Sequence, residues 1–454
     1  MPVVTVTPRP FYVPARSGDD ATNLIQGALD RGHPVNLGPG VFTTTGITLK
    51  NGSTLRGAGD GLTTLRLAAG SSTDLVTTEG FATYTGTNVR SGPEAFTVQD
   101  INLDGNKANV SSGWVFRVYG CAYRISNVTF RNGKSGLVFS EWGPGGSEME
   151  AQFVNFRLDV ADGKGMDWRG PHDSQFLNGI VSGMDGYDAV TTSGNATSEQ
   201  FTNIHIWGLN SNGFVLGKAA YLANCQAEGA TGANVLFKAG GVTWVGGTVF
   251  GTASGTEAGF QWGTGTEGII GGIMVMGVRL YNFGATGRPL YLVNTTAGTV
   301  VDATLFAGSV TTAITGTAAA TDSIRLTSND NQAVTQVGTR WTQHGRMVHH
   351  AAASGMSQAY TLKTSGGGSD IINFNASGRR LELPQADLRF YTDQYSTQTL
   401  EVNNAGFIEG VEISDPSAPS SNRGRLYFKD NGSGKTQLAV RFPTGAVQVI
   451  ATEP

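Results

Sequence analysis

The chain has 454 residues, of which 65 are glycine, with 39% apolar and 15% charged residues and a formal net charge of −4. Glycine stands near twice its usual share and charge well below its own. That excludes a disordered chain, which is poor in apolar residues and rich in net charge. It also excludes a helical bundle, where each glycine costs about 1 kcal/mol, and a collagen, which needs a strict Gly-X-Y period. A small negative charge recruits no nucleic acid, and no apolar run reaches the roughly 18 residues of a membrane span. An all-β chain with many turns remains.

The segment Met1–Pro14 lacks a basic stretch followed by an apolar one, so no secretory signal is expected there. Residues 20–30 pattern as an amphipathic helix with Leu24, Ile25, Ala28 and Leu29 on one face. Asp19 or Asp20 is placed to cap it and Gly32 to end it. Short alternating runs follow: Pro34–Phe42, Ile47–Leu49 and Ser53–Gly59.

From residue 98 a six-residue window recurs, reading apolar–x–Asn–x–x–apolar. Its asparagines are Asn127, Asn155, Asn178, Asn203 and Asn224, with Asp100 in the same place at the start. Glycine replaces asparagine in windows starting at Trp244 and Ile270. The spacing is about 25 residues, the length of one turn of a parallel β-solenoid. Stacked turns lie about 4.8 Å apart, close enough for the asparagines to bond one another as a ladder. A second element, Gly-apolar-x-apolar, follows at Gly136, Gly165, Gly186 and Gly213, with glycine read as a bend before a strand. Cys121 and Cys225 fall in strand-like runs and read as buried thiols. Two cysteines and six histidines show no metal-site spacing, so neither metal nor cofactor is expected.

Residues 300–321 read as tapering final turns. Residues 358–413 alternate weakly, as strands expected to knit three chains together. His344, His349 and His350 lack structural metal spacing. A Pro/Ser linker, 414–422, leads to a hairpin turned at Asp430-Asn431-Gly432 and a third short strand. Three strands are too few to stand alone. The expected domains are 1–34 (N-terminal segment and capping helix), 35–325 (solenoid), 326–413 (β-rich oligomerisation region) and 414–454 (linker and β tail).

The order helix, Val35-Asn36-Leu37-Gly38-Pro39-Gly40-Val41-Phe42, then Ser53-Thr54-Leu55-Arg56-Gly57-Ala58-Gly59 resembles the N-terminal cap of the pectate-lyase-like superfamily. The resemblance implies an all-β, right-handed parallel β-helix, a fold that hosts lyases, hydrolases, epimerases and phage tailspikes. The last 35 or so residues resemble the terminal segment shared by minor tail proteins of phages infecting actinobacteria. That resemblance implies a virion tail protein, assembled in the host cytoplasm and acting at the host cell surface. Its partners would be two further copies in a homotrimer, other tail proteins and host cell-surface polysaccharide, without nucleic acid or membrane insertion.

Asp167 and Asp188 each stand two residues after a glycine. If their strands are in register, the two carboxylates stack on adjacent turns, and one pKa rises. A carboxyl pair about 5 Å apart suits a retaining glycosidase. Asp162, Arg169, His172, Asp173 and Asp185 occupy neighbouring turns, and Glu141 and Trp142 a long turn before them; with Trp207 these are the candidate glycan contacts. Trp142 and Trp207 are expected exposed, as stacking platforms for sugar, and Trp168, Trp244 and Trp262 inside. The polygalacturonase-like motifs and a calcium-binding aspartate cluster are absent. Three readings stay open: a glycan-binding tail protein, a polysaccharide depolymerase acting as hydrolase or lyase, and a purely architectural tail component.

Overall fold

A computed structural model describes residues 9–14, 20–87, 92–143, 150–208, 210–252, 255–308, 314–316, 323–328 and 412–454, and the backbone of six strands between 357 and 410. The chain forms two compact units, Met1–Gln343 and His344–Pro454. The expected histidines 344, 349 and 350 lie outside the described residues.

The first unit is a parallel β-solenoid, as the repeat implied. The turns run through two long sheets, of 17 and 11 strands among the described residues, and some turns place two short strands in the first. The pairing register traces one inward column through the whole length of the first sheet. It runs Phe11, Val35, Leu55, Val98, Ile125, Phe153, Phe176, Phe201, Leu222, Trp244, Val275, Val301 and Ile324. Aromatic rings stack along it: Phe176 and Phe201 lie 4.6 Å apart at 11°. Trp168, from the second sheet, meets Phe176 edge-on at 4.8 Å. Trp168, Trp244 and Trp262 are fully buried, as expected.

The column also corrects one window. The repeat after Trp244 is carried by Val275, with Gly277 at the bend, and not by Ile270. Ile270–Gly271 pairs instead with Thr296–Ala297 in a separate ribbon.

The helix Thr22–Asp30 packs Ile25, Ala28 and Leu29 onto the solenoid end, while Leu24 turns to solvent, contrary to expectation. The N-cap position of this helix falls to Ala21, which offers no side-chain cap, and Asp20 just before it accepts from Thr22 N–H at 2.8 Å. Gly32, at φ 73°, closes it through its N–H to Leu29 O. The strand Phe11–Val13 pairs with Val35–Leu37, so the first sheet begins before the helix.

The asparagine ladder is present. Asn127 donates to Asp100 at 2.9 Å, Asn155 to Asn127 at 3.1 Å, Asn178 to Asn155 at 3.1 Å and Asn203 to Asn178 at 3.2 Å. Each of these residues has φ near 55°, in the left-handed region that asparagine and aspartate tolerate better than other side chains. The backbone bends there, and each strand of the first sheet resumes pairing on the far side. Asn224 keeps the conformation (φ 51°), and Gly246 and Gly277 take it over at 68° and 64°. Among the described residues the side-chain ladder stops at Asn203.

The glycines of the second element play different parts. Gly186 turns at φ 78°. Gly165 and Gly213 are instead places of close approach, where a Cβ would sit 2.5 Å from Ala189 O and 2.4 Å from Asn234 O. Cys121 and Cys225 are buried free thiols, and burial pushes the Cys225 pKa up to about 12.

In the second unit the described strands are antiparallel. Ser357–Lys363, Ser369–Asn375 and Arg380–Glu382 form one sheet, and Leu388–Thr392, Thr397–Val402 and Ile408–Gly410 another. Arg425–Asp430, Thr436–Arg441 and Gln448–Thr452 form the expected hairpin with its third strand. That last sheet leaves Leu426 65%, Ile450 59% and Val449 47% exposed.

Candidate functional site

Three places on the outer surface of the solenoid gather chemistry-bearing side chains. The first lies on the second sheet, where register builds the outward column Arg117, Phe139, Asp167, Thr191, Val215. Asp167 therefore stacks on Thr191, not on Asp188. The strand after Gly186 begins only at Val190, opposite Met166. Asp188 lies ahead of that strand, and its carboxylate accepts from Asn212 at 2.8 Å. The expected carboxylate pair does not form.

Asp167 is itself 4% exposed. Burial acts to raise its pKa, but the Arg169 guanidinium at 2.8 Å, the Lys164 ammonium at 3.5 Å and the Thr191 hydroxyl outweigh it. The carboxyl is held below the ordinary range, the opposite of what a proton donor needs. Arg169 also lies over the Phe139 ring at 4.9 Å, and Arg117 lies against both Phe81 and Phe139, at 4.7 and 5.5 Å.

Glu141 and Trp142 are corrected as well. Glu141 ends the strand Gly136–Glu141, is 6% exposed and accepts from Gly86 N–H at 2.6 Å. Trp142 is 3% exposed and packs on Tyr119 at 5.5 Å. Both are covered because the segment after Glu79 folds back over this face through a short helix, Phe81–Tyr84. Asp162 stays at the surface between Lys107 (2.8 Å) and Lys134 (2.9 Å). Hydrogen bonds from both lysines lower its pKa.

The second place is a shallow cleft of about 350 Å³ beside the first sheet, lined by Arg124, Glu150, Gln152, His172 and Asp173 among others. His172 Nδ1 and Asp173 Oδ2 lie 2.8 Å apart. Of the expected contacts, these two are brought together here.

The third place is on the outer face of the first sheet beyond the asparagine bend. Trp207 ends the strand Glu199–Trp207, directly after inward Ile206, and is 43% exposed as expected. His205, two residues back on the same face, meets the Glu228 carboxylate at 2.8 Å, and Gln226 donates to the same oxygen at 3.3 Å. Asp185 is exposed and bridges through its backbone to Asn210, whose side chain reaches Trp207 O at 3.4 Å. Farther along, Phe250, Tyr281 and Phe306 stack face to face at 5.3 and 4.9 Å. Tyr281 has both ring faces covered and each phenylalanine one, so this run is packing. Trp207, with no ring stacked on it among the described residues, keeps a face open. Windows compared only at their asparagines miss His205, Gln226 and Glu228, although His205 and Gln226 sit two residues beyond their bends and Glu228, like Trp207, sits four beyond.

No protein-family model and no curated protein matches the chain. Solved structures similar to it include the receptor-binding protein of bacteriophage Det7, a podoviral tailspike in a myovirus. That match is at 11% identity, over 98% of this chain and 93% of that one, with a TM-score of 0.46. Geobacillus virus E2 ORF18 is similar at 14% identity, over 96% and 83%, with a TM-score of 0.45. The A-module of the Azotobacter vinelandii mannuronan C-5 epimerase AlgE4 is similar at 16%, over 72% and 96%, with a TM-score of 0.37. These are likenesses of fold. A podoviral tailspike and a mannuronan epimerase module are both among them, and function is argued from this chain's own side chains.

Proposed function

We propose that the protein is a virion tail protein of tailspike type that binds a cell-surface glycan of an actinobacterial host. The observation that carries the recognition part is Trp207, with its open ring face beside His205, Gln226 and Glu228. Sugars are held by this combination: an aromatic surface for the apolar ring face and a few fixed polar groups for the hydroxyls. The tail assignment rests on the resemblance of the last 35 or so residues. The enzyme alternative has less support, since Asp167 is kept ionised by Arg169 and Lys164 and no second carboxylate stacks on it.

Purified protein is expected to sediment with isolated actinobacterial cell walls without releasing reducing ends. Trp207→Ala should weaken binding about tenfold, the scale of one lost aromatic contact of ~1.4 kcal/mol. Unchanged binding by that variant removes the Trp207 site, and released sugar returns the depolymerase reading.

A homotrimer joined through the C-terminal region is part of the proposal. The exposed Leu426, Val449 and Ile450 of a three-strand sheet support it, because so small a sheet needs a partner to bury its apolar side chains. Light scattering should give a trimer for the full chain and a smaller species for a chain ending at Ile413. A monomer in both cases refutes it.

A further inference from the structure

A line of outward side chains on the first sheet is unused by the Trp207 site. Arg124, Gln152, Gln175, Gln200 and Tyr221 pair turn to turn. Each immediately precedes an inward apolar residue, so all five face outward, with a repeat of about 4.8 Å. At one end the line opens into the 350 Å³ cleft, which Arg124 and Gln152 share with Glu150, His172 and Asp173. At the other end Tyr221 is 54% exposed. Gln175 donates to Glu150 at 2.9 Å. The amides of Gln152 and Gln200 and the guanidinium of Arg124 have no hydrogen-bond or ion-pair partner among the described residues.

We propose that this line is a binding strip for an uncharged, hydroxyl-rich polysaccharide lying along the solenoid axis. It rests on the glycan-binding reading and adds a second contact region, on the opposite side of the Asn203 bend from Trp207. A glutamine amide offers two donors and one acceptor oxygen, and a sugar hydroxyl likewise both donates and accepts. Amides repeated at a fixed rise match a ligand that is itself a repeat. Tyr221 supplies an apolar ring with a polar tip at the far end. Charge selects against an acidic chain: one guanidinium, Arg124, is set against two carboxylates, Glu150 and Asp173, in the same cleft.

The full chain is to be run by affinity electrophoresis through gels containing neutral polysaccharides (glucans, mannans, galactans and arabinans) and acidic ones (hyaluronan and alginate). Retardation by a neutral polymer and not by the acidic ones is expected. The double variant Gln152→Ala/Gln200→Ala, and separately Tyr221→Ala, should each raise the apparent Kd about tenfold, with thermal unfolding unchanged. Wild-type retardation that these variants leave intact overturns the strip and spares the Trp207 site. Retardation confined to acidic polymers overturns the proposed ligand class. A wild-type chain retarded by none of them overturns both the strip and the glycan-binding reading.

Discussion

Glu199→Gln should stabilise the protein at neutral pH and flatten its stability profile between pH 5 and 8. Register places Glu199 in an inward column with Tyr123, Ala151, Ser174 and Ala220, and it is fully buried. Its Oε1 accepts from Thr197 N–H at 3.0 Å, while Oε2 has no hydrogen-bond partner among the described residues. Burial, with the negative charge of Asp173 adding to it, pushes the pKa from 4.5 up to about 8. The folded chain thus holds a proton that the unfolded chain releases. For an acid whose folded pKa is raised, full stability is present below the unfolded value and is lost as pH climbs through the folded one. At 1.36 kcal/mol per unit, the wild type should forfeit about 3 kcal/mol by pH 7 relative to pH 4.5. Glutamine keeps the acceptor for Thr197 N–H and does not titrate. Urea unfolding of both proteins at pH 4.5, 6, 7 and 8 checks this. The curves should meet near pH 4.5 and diverge upward, with the variant more stable by about 2–3 kcal/mol at pH 7. Parallel curves would mean that Glu199 ionises alike in both states.

The solenoid was legible because its signal repeats. An inward apolar residue recurs about every 25 residues, and the asparagine after it marks a backbone bend with φ near 55°. Two kinds of information were not legible. One is the offset between turns of unequal length. Gly165 and Gly186 look equivalent in sequence, yet the first lies in a strand and the second in a turn. Aligning them put Asp188 where Thr191 stands. The other is cover from distant sequence. Nothing near Trp142 announces that Phe81 and Tyr84 will pack against the cluster it forms with Tyr119 and Cys121. The strip was legible and passed over: the residues just ahead of the windows at Ile125, Phe153, Phe176, Phe201 and Leu222 read Arg, Gln, Gln, Gln, Tyr. Comparing windows at their apolar and asparagine positions alone hid it.

The ladder itself separates into two contributions that substitution at one position can measure. Asn155 donates to Asn127 and accepts from Asn178, at 3.1 Å each, while holding φ at 54°. Asn155→Ala removes both side-chain bonds and forces a residue with a Cβ and no polar compensation into the left-handed region. That conformation costs about 1–2 kcal/mol. The bonds are exposed to water, so each contributes toward the low end of about 0.5–1.5 kcal/mol. The alanine variant should therefore lose about 2–4 kcal/mol. Asn155→Gly removes the same bonds but adopts the conformation freely, as Gly246 and Gly277 do in later turns. It should lose only about 1–2 kcal/mol, apart from the small entropic cost of glycine in the unfolded chain. Urea midpoints at a common slope give both values. Glycine better than alanine is the decisive sign, because an asparagine that serves only through its side-chain bonds would make alanine the milder change. Alanine as the milder change would place the whole effect in the ladder bonds and none in the backbone bend.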